Sequence, residues 1–126
     1  MNVVELKEKL QNLLLNELGT YTNNIPSIWV YGSSQNPPSK SSGLECLIKQ
    51  MPMGIAKASS AGMKYKEQIW EIILVNCKQD SNLVKAVQKI EKTFIVKQFT
   101  HQPFTTTEYE RSRILIYDPI FIGNVP

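Results

Sequence analysis

The chain has 126 residues, a length that suits one domain. Hydrophobic residues make up 42% and charged residues 20% of the sequence, so a folded core is expected rather than disorder. The net charge of +3 comes from scattered Lys and Arg, which argues against a dedicated nucleic-acid-binding protein, and the apolar runs are too short to span a membrane.

Residues 2–18 are predicted to form the first helix, because large apolar side chains recur at spacings of three and four and so fall on one stripe. The stripe consists of Val3, Leu6, Leu10, Leu13, Leu14 and Leu18. The early carboxylates of Glu5 and Glu8 argue against a signal peptide. Gly19 is expected to end the helix in a left-handed conformation.

Two strands are predicted next, at residues 27–32 and 44–51. Residues 33–43 separate them. This stretch is rich in Ser and contains Pro37 and Pro38, which exclude a central strand, so an exposed and mobile loop is expected. Residues 52–64 are rich in small residues and are predicted to form a second exposed loop, shaped as a long hairpin arm.

The third strand, residues 65–76, is apolar on both faces in its second half. Trp70, Ile72 and Leu74 point to one face, whereas the alternate residues point to the other. Those alternate residues are Ile69, Ile73 and Val75. Such a strand needs a packing partner on each of its two faces.

A second amphipathic helix follows, with Asp80 or Ser81 as its N-cap. Its end is open, because residues 94–96 suit a strand equally well. A loop containing His101 leads to a last strand over residues 109–117, which Asp118 and Pro119 are expected to end. The apolar tail, residues 119–126, is interpreted as an extended clasp on another subunit or, alternatively, as a cap on its own core.

These elements predict a single α+β domain over residues 1–126. Its mostly antiparallel, four-stranded sheet carries both amphipathic helices on one face. Each helix has one apolar stripe, so the two helices cannot cover both faces of the sheet. The uncovered face, at Trp70, Ile72 and Leu74 or at the alternate positions, is expected to lie against another subunit.

The sequence contains no catalytic or metal-binding motif, so we expect no enzyme activity, no metal and no cofactor. His101 is the one histidine and is expected to be a solvated loop residue. Glu45, Glu67 and Glu71 could converge on one face, as in a metal-dependent nuclease, but cross-strand pairing with Lys is the favoured interpretation. Cys46 and Cys77 are expected to be free thiols, typical of an intracellular protein.

The last strand places Arg111 and Arg113 on one side, together with Tyr109 and Tyr117. Aromatic residues interleaved with Arg can bind single-stranded nucleic acid. Edge charges on a solvated or subunit-facing strand are the favoured interpretation.

The element order resembles that of bacteriophage tail-terminator (tail-completion) proteins from long-tailed phages. The resemblance covers nearly the whole chain and includes an opening amphipathic helix, a strand with "IWVY", a loop into "QIWEIILVN", a helix with "LVKAVQKIEKTF" and a final strand. It implies a hexameric ring that caps the tail tube, stops its polymerisation and provides the head-tail joining surface.

The resemblance also implies partners and a location. The partners would be other copies of the chain, the tail tube protein and a neck or head-connector protein. No membrane and no sequence-specific nucleic acid are expected, although DNA would pass through the ring. The protein would be made in the host cytoplasm and reside in the virion. The residues expected at its interfaces are Trp70, Ile72, Leu74, Ile120, Phe121, Ile122, Lys57, Lys64, Arg111 and Arg113.

Three alternatives stay open. The chain could be another neck, head-closure or baseplate component. It could instead be a small metal-dependent nuclease or nucleic-acid-binding protein built on the glutamate and arginine clusters. The last alternative is a small cellular α+β dimer.

Overall fold

The computed structural model describes residues 1–32, 35–51, 57–58 and 63–124. These residues form an α+β fold in which two helices pack on a single sheet, as predicted. The sheet differs from the prediction in strand number and direction, because two further strands join it and one pair is parallel.

The two helices are α1, Val3–Leu13, and α2, Asn82–Thr93. The Asn2 side chain caps α1 by accepting the Glu5 N–H at 2.9 Å. The first helix is shorter than the predicted 2–18, because the chain turns after Leu13. Gly19 does not end α1 in a left-handed conformation. A glycine is needed at position 19 because a Cβ there would lie 2.4 Å from the Gly43 nitrogen of the loop that passes beside it.

The strands are β1 Ile28–Val30, β2 Leu44–Gln50, β3 Lys57–Ala58, β4 Met63–Asn76, β5 Ile95–Gln102 and β6 Glu110–Asn124. Their order across the sheet is β1-β2-β4-β6-β5, and β3 pairs with the beginning of β4. β1 and β2 run parallel, and the other pairs are antiparallel. The prediction of four mostly antiparallel strands missed β3 and β5.

Both helices cover the same face of the sheet, which confirms that part of the prediction. The apolar stripes of α1 and α2 meet the inward residues of β2, β4 and β6 in one core. The fully buried members include Leu6, Leu10, Leu83, Ile90, Cys46, Ile48, Trp70, Ile72, Leu74, Ile114 and Ile116. We call this the core face and its opposite the open face.

The last strand does not end at Asp118 and Pro119. β6 continues to Asn124 and pairs with β4 throughout, with Pro119 opposite Glu67. β5 pairs with β6 only as far as Tyr117, so β6 has β4 on one side beyond that point in the described part of the chain. A proline lacks one N–H donor, and a strand with one free side tolerates that loss.

The tail therefore pairs with its own subunit up to Asn124, so a clasp that leaves the domain at Pro119 is the wrong interpretation of residues 119–124. Residues 125–126 lie outside the described residues. Most of the predicted arm at 52–64 also lies outside them. Its described parts are β3, which pairs Lys57 with Tyr65 and Ala58 with Lys64, and the first two residues of β4, Met63 and Lys64.

The segment after α2 is a strand rather than a loop. α2 ends at Thr93, and β5 begins at Ile95. His101 therefore lies in β5 rather than in a loop, and its side chain is exposed, as expected. Its Nε2 atom is 3.0 Å from Glu110 Oε2. Asn76 Nδ2 donates to the other carboxylate oxygen of Glu110 at 3.0 Å. This hydrogen bond, aided by His101, lowers the pKa of Glu110.

Candidate functional site

The open face of the sheet is built from the alternate residues of each strand. On β4 these are Ile69, Glu71, Ile73 and Val75. Leu47 of β2 lies beside Ile73, which places another apolar side chain in the same row. Most of these apolar side chains are half-buried, so the face is partly screened from water and partly accessible.

A charged pair lies in the middle of this face. Arg113 donates from Nε to Glu71 Oε1 at 3.0 Å and from Nη2 to Oε2 at 3.4 Å. The bidentate geometry joins β4 to β6. Glu71 is 8% exposed, and the Arg113 side chain keeps 39% of its surface in water. Arg113 therefore provides a hydrogen-bond donor for each oxygen of the nearly buried Glu71 carboxylate.

The segment that joins α1 to β2 covers one end of the open face, and we call this segment the roof. Tyr21 packs edge-on against Trp29, with ring centroids 6.1 Å apart. The Tyr21 hydroxyl donates to Glu45 Oε2 at 2.7 Å, and Trp29 Nε1 donates to the Gln35 carbonyl at 3.0 Å. Burial and the Glu45 carboxylate both raise the pKa of Tyr21.

Most residues of the loop at 35–42 are exposed, as expected, and hydrogen bonds join it to the segment before β1, while the mobility expected at 33–43 stays a prediction. Residues 33–34 lie outside the described residues, whereas the serines that follow bond to the segment before β1. Ser39 Oγ accepts the Thr22 N–H, and Ser42 Oγ accepts the Thr20 N–H, both at 2.9 Å. Ser41 Oγ also donates to Ser27 Oγ at 2.7 Å. These contacts could not be read from composition.

The glutamates considered for metal chemistry share the open face, but each has its own partner. Glu45 accepts from Tyr21, and Glu71 accepts from Arg113. Glu67 lies 3.5 Å from Lys97 Nζ. Among the described residues, no group of three His, Cys, Asp or Glu side chains could hold a metal ion.

The two cysteines are free thiols that differ in burial. Cys46 is in the core, and burial raises the pKa of its thiol to about 12. Cys77 is half-buried, and burial and the nearby Glu45 raise its pKa as well. Both thiols therefore favour the protonated, less nucleophilic form.

Three of the predicted interface residues lie in the wrong place for that role. Trp70, Ile72 and Leu74 are at most 1% exposed because the two helices cover them. The alternate residues of β4 face outward instead. The sequence showed two apolar faces but could not say which one the helices would cover.

The remaining predicted interface residues divide into two groups. Arg111 and Arg113 lie on the open face, as the alternation predicted. The backbones of Lys57, Lys64, Ile120, Phe121 and Ile122 lie in β3, β4 and β6. The structure describes only the backbone of these residues, so their expected interface role stays a prediction.

The β5 edge of the sheet is a surface that the sequence reasoning missed. β5 pairs with β6 on one side and has no strand on its other side within the described ranges. Ile95 is 63% exposed and Phe99 is 46% exposed. Phe104 and Tyr109, in the connection to β6, are exposed as well. A long edge strand with exposed apolar side chains is a template for pairing with another chain.

The opposite edge, at β1, has a groove beside it. α1 and β1 enclose about 650 Å³. The lining residues are Val3, Val4, Lys7, Glu8, Gln11, Trp29, Val30 and Gln35. The Ser27 carbonyl and the Tyr31 N–H bond to β2, so the peptide groups of Val30 point away from β2 and toward the groove side.

Comparisons with protein-family models and with curated proteins found no match to this chain. In the part of the chain that the structure describes, no helix combines the length and apolar character needed to cross a membrane.

Proposed function

We propose that this chain is a structural protein of a long-tailed bacteriophage virion. In this proposal, copies of it form a hexameric ring that caps the tail tube, stops its polymerisation and provides the head-tail joining surface. The α+β layout of the structure supports the proposal, together with the resemblance of the element order predicted from the sequence to that of tail-terminator proteins.

The observation that carries the ring is the presence of two unlike open edges on one sheet. Within the described ranges, β5 ends the sheet with a strand that exposes Ile95 and Phe99, and β1 ends it beside a groove. Pairing of β5 with the β1 edge of the next copy is head-to-tail, because the two surfaces differ. Head-to-tail contacts generate closed rings when the rotation between copies closes.

The two edges are physically complementary. β5 offers eight residues of extended backbone with Phe99 exposed near its middle. The groove offers the apolar side chains of Val4 and Val30 and the outward peptide groups of β1. Addition of a strand to a sheet edge supplies main-chain hydrogen bonds, and side-chain pockets supply specificity.

Two interface variants test the head-to-tail arrangement. Phe99→Ser removes the apolar side chain of the edge, and Val4→Asp places a charge in the groove. Each variant alone should be monomeric by native mass spectrometry, because each has lost one of its two contact surfaces. An equimolar mixture should form a dimer and nothing larger, since one intact edge and one intact groove remain.

The control is Val84→Ser on α2, where Val84 is exposed but lies on neither edge. It should assemble as the wild type does, with sixfold rings and a central hole in electron micrographs. A wild-type protein that stays monomeric, or a mixture of the two interface variants that stays monomeric, would contradict the head-to-tail ring.

A second experiment separates a tail terminator from another neck, head-closure or baseplate component. Purified ring should bind the end of tubes assembled from the tail tube protein and stop their elongation at substoichiometric amounts. Rings that form but leave tube growth unchanged would contradict the capping role and favour another position in the virion.

A further inference from the structure

Three lysines of α2 lie on one side of the helix and face the turn that follows α1. Lys85, Lys89 and Lys92 are spaced by four and three residues, which brings them onto one stripe. They line a groove of about 350 Å³, the lysine groove. Its other lining residues are Asn16, Glu17, Asn82 and Gln88.

The lysine groove carries an excess of positive charge. Lys89 is held in place, because its Nζ atom forms an ion pair with Glu17 and lies 3.4 Å from the Leu13 carbonyl. Glu17 is 4% exposed, so this carboxylate is fixed below the surface. Lys85 and Lys92 are exposed and have no hydrogen bond or ion pair from their ammonium groups to other described residues. The one carboxylate of the lining therefore neutralises only one of its three lysines.

The spacing of these ammonium groups suits a row of phosphates. Seven residues of helix separate Lys85 from Lys92, a rise of about 10 Å. Phosphates along one strand of duplex DNA advance about 3.4 Å per nucleotide along the axis. The stripe therefore spans about three phosphates of one strand. The amides of Gln88 and Asn16 add hydrogen-bond donors beside the lysines, whereas the Asn82 amide donates to Asp80.

We propose that the lysine groove binds the phosphodiester backbone of nucleic acid without reading the base sequence. Its lining contains no apolar side chain among the residues that form it, which disfavours a lipid surface, where apolar side chains would insert. Charge complementarity with a linear polyanion is the basis of the contact. The inference does not rest on the ring, since the residues of the lysine groove belong to neither sheet edge.

The test measures fluorescence anisotropy of a labelled random-sequence duplex at several salt concentrations. The wild type should bind with a slope of log K against log[salt] of about −1.8, the value for two phosphate contacts, because Glu17 already neutralises Lys89. The double variant Lys85→Gln/Lys92→Gln should lose most of this salt dependence and bind on the order of 10- to 100-fold more weakly at low salt.

The matched control is Lys40→Gln/Lys49→Gln, which removes the same charge from exposed lysines away from α2. It should bind nearly as the wild type does. Circular dichroism checks that both double variants are folded. An equal loss of affinity in the control would overturn the proposal, because the binding would then follow net charge alone.

Two further outcomes would also overturn it. One is the absence of measurable wild-type binding at low salt. The other is tighter binding to phosphatidylserine vesicles than to duplex with the same dependence on Lys85 and Lys92, which would identify a lipid surface as the ligand. Because the duplex is titrated against protein of known oligomeric state, failure here is distinguishable from failure of ring assembly.

Discussion

The core face and the open face of β4 belong to the same strand but are covered in different ways. Trp70, Ile72 and Leu74 lie beneath two helices and are almost fully buried. The open face alternates apolar residues with Glu71, and its cover at one end is a loop anchored by Tyr21. The core face is thus covered by two helices, whereas polar contacts hold the cover of the open face in place.

The difference shows where stability and interaction reside in this subunit. Apolar burial stabilises in proportion to the area removed from water, so the core face dominates the free energy of folding. The open face and the two edges retain accessible apolar surface, which makes them the candidates for contacts with other chains.

The largest effect is expected from the core face. Trp70→Ala should lower the free energy of unfolding by about 3–5 kcal/mol, because it leaves a cavity beneath the helices. Ile73→Ala on the open face should cost about 1–2 kcal/mol, because Ile73 is only half-buried. Urea denaturation of both variants measures the difference.

Trp70→Phe is a useful control for this comparison. The Trp70 Nε1 atom is buried and has no hydrogen-bond partner among the described residues, so Phe removes an unsatisfied donor while keeping much of the volume. Its loss should be much smaller than that of Trp70→Ala. Equal losses for Trp70→Ala and Ile73→Ala would show that the two faces are not energetically distinct.

A smaller effect is expected from the charged pair of the open face. A double-mutant cycle with Glu71→Gln and Arg113→Gln should give a coupling free energy of about 1–2 kcal/mol, reduced by the exposure of Arg113. The Glu67–Lys97 pair is the control. Its ion pair is longer and its lysine is 44% exposed, so its coupling should be below about 0.5 kcal/mol. Equal coupling free energies for the two pairs would contradict the expectation that burial of Glu71 strengthens its interaction with Arg113.

The smallest effect at neutral pH is expected from the roof. Tyr21→Phe should cost about 0.5–1.5 kcal/mol, the net value of the hydrogen bond to Glu45. The pKa of Tyr21 is raised in the folded state, so its contribution is complete below the unfolded pKa of about 10 and declines as the pH rises above that value.

Urea denaturation at pH 8 and at pH 10.5 measures this dependence. The wild type should lose more stability between the two values than Tyr21→Phe does, because the variant has no phenol to ionise at this position. The same pH dependence of stability in the wild type and in Tyr21→Phe would mean that folding does not raise the pKa of Tyr21.

Several features of the fold could be predicted because they depend on neighbouring residues in the chain. The apolar spacing from Val3 to Leu14 and the stripe of α2 located both helices. The alternation around Arg111 and Arg113 placed these two side chains on one face of β6. The lysine groove could also have been sought in the sequence, since the spacing of its three lysines is helical.

Other features depended on pairing across long stretches of sequence. Pro119 stays within β6 because β4 pairs there on one side. Residues 94–96 suited a helix or a strand equally well, and His101 was expected in a loop. Residues 95–102 become β5 because β6 offers an edge. The serines of residues 39–42 anchor a loop because the segment before β1 passes beside them.

The sequence by itself determined where the two helices and four of the strands form and that β4 has two apolar faces, because side-chain periodicity is a local property of the chain. Only the tertiary structure decided that the helices cover Trp70 rather than Ile73, and that the described sheet ends at a β5 edge with two exposed apolar side chains and at a β1 edge beside a groove. Those choices follow from strand register and order, which are set by contacts between residues far apart in sequence.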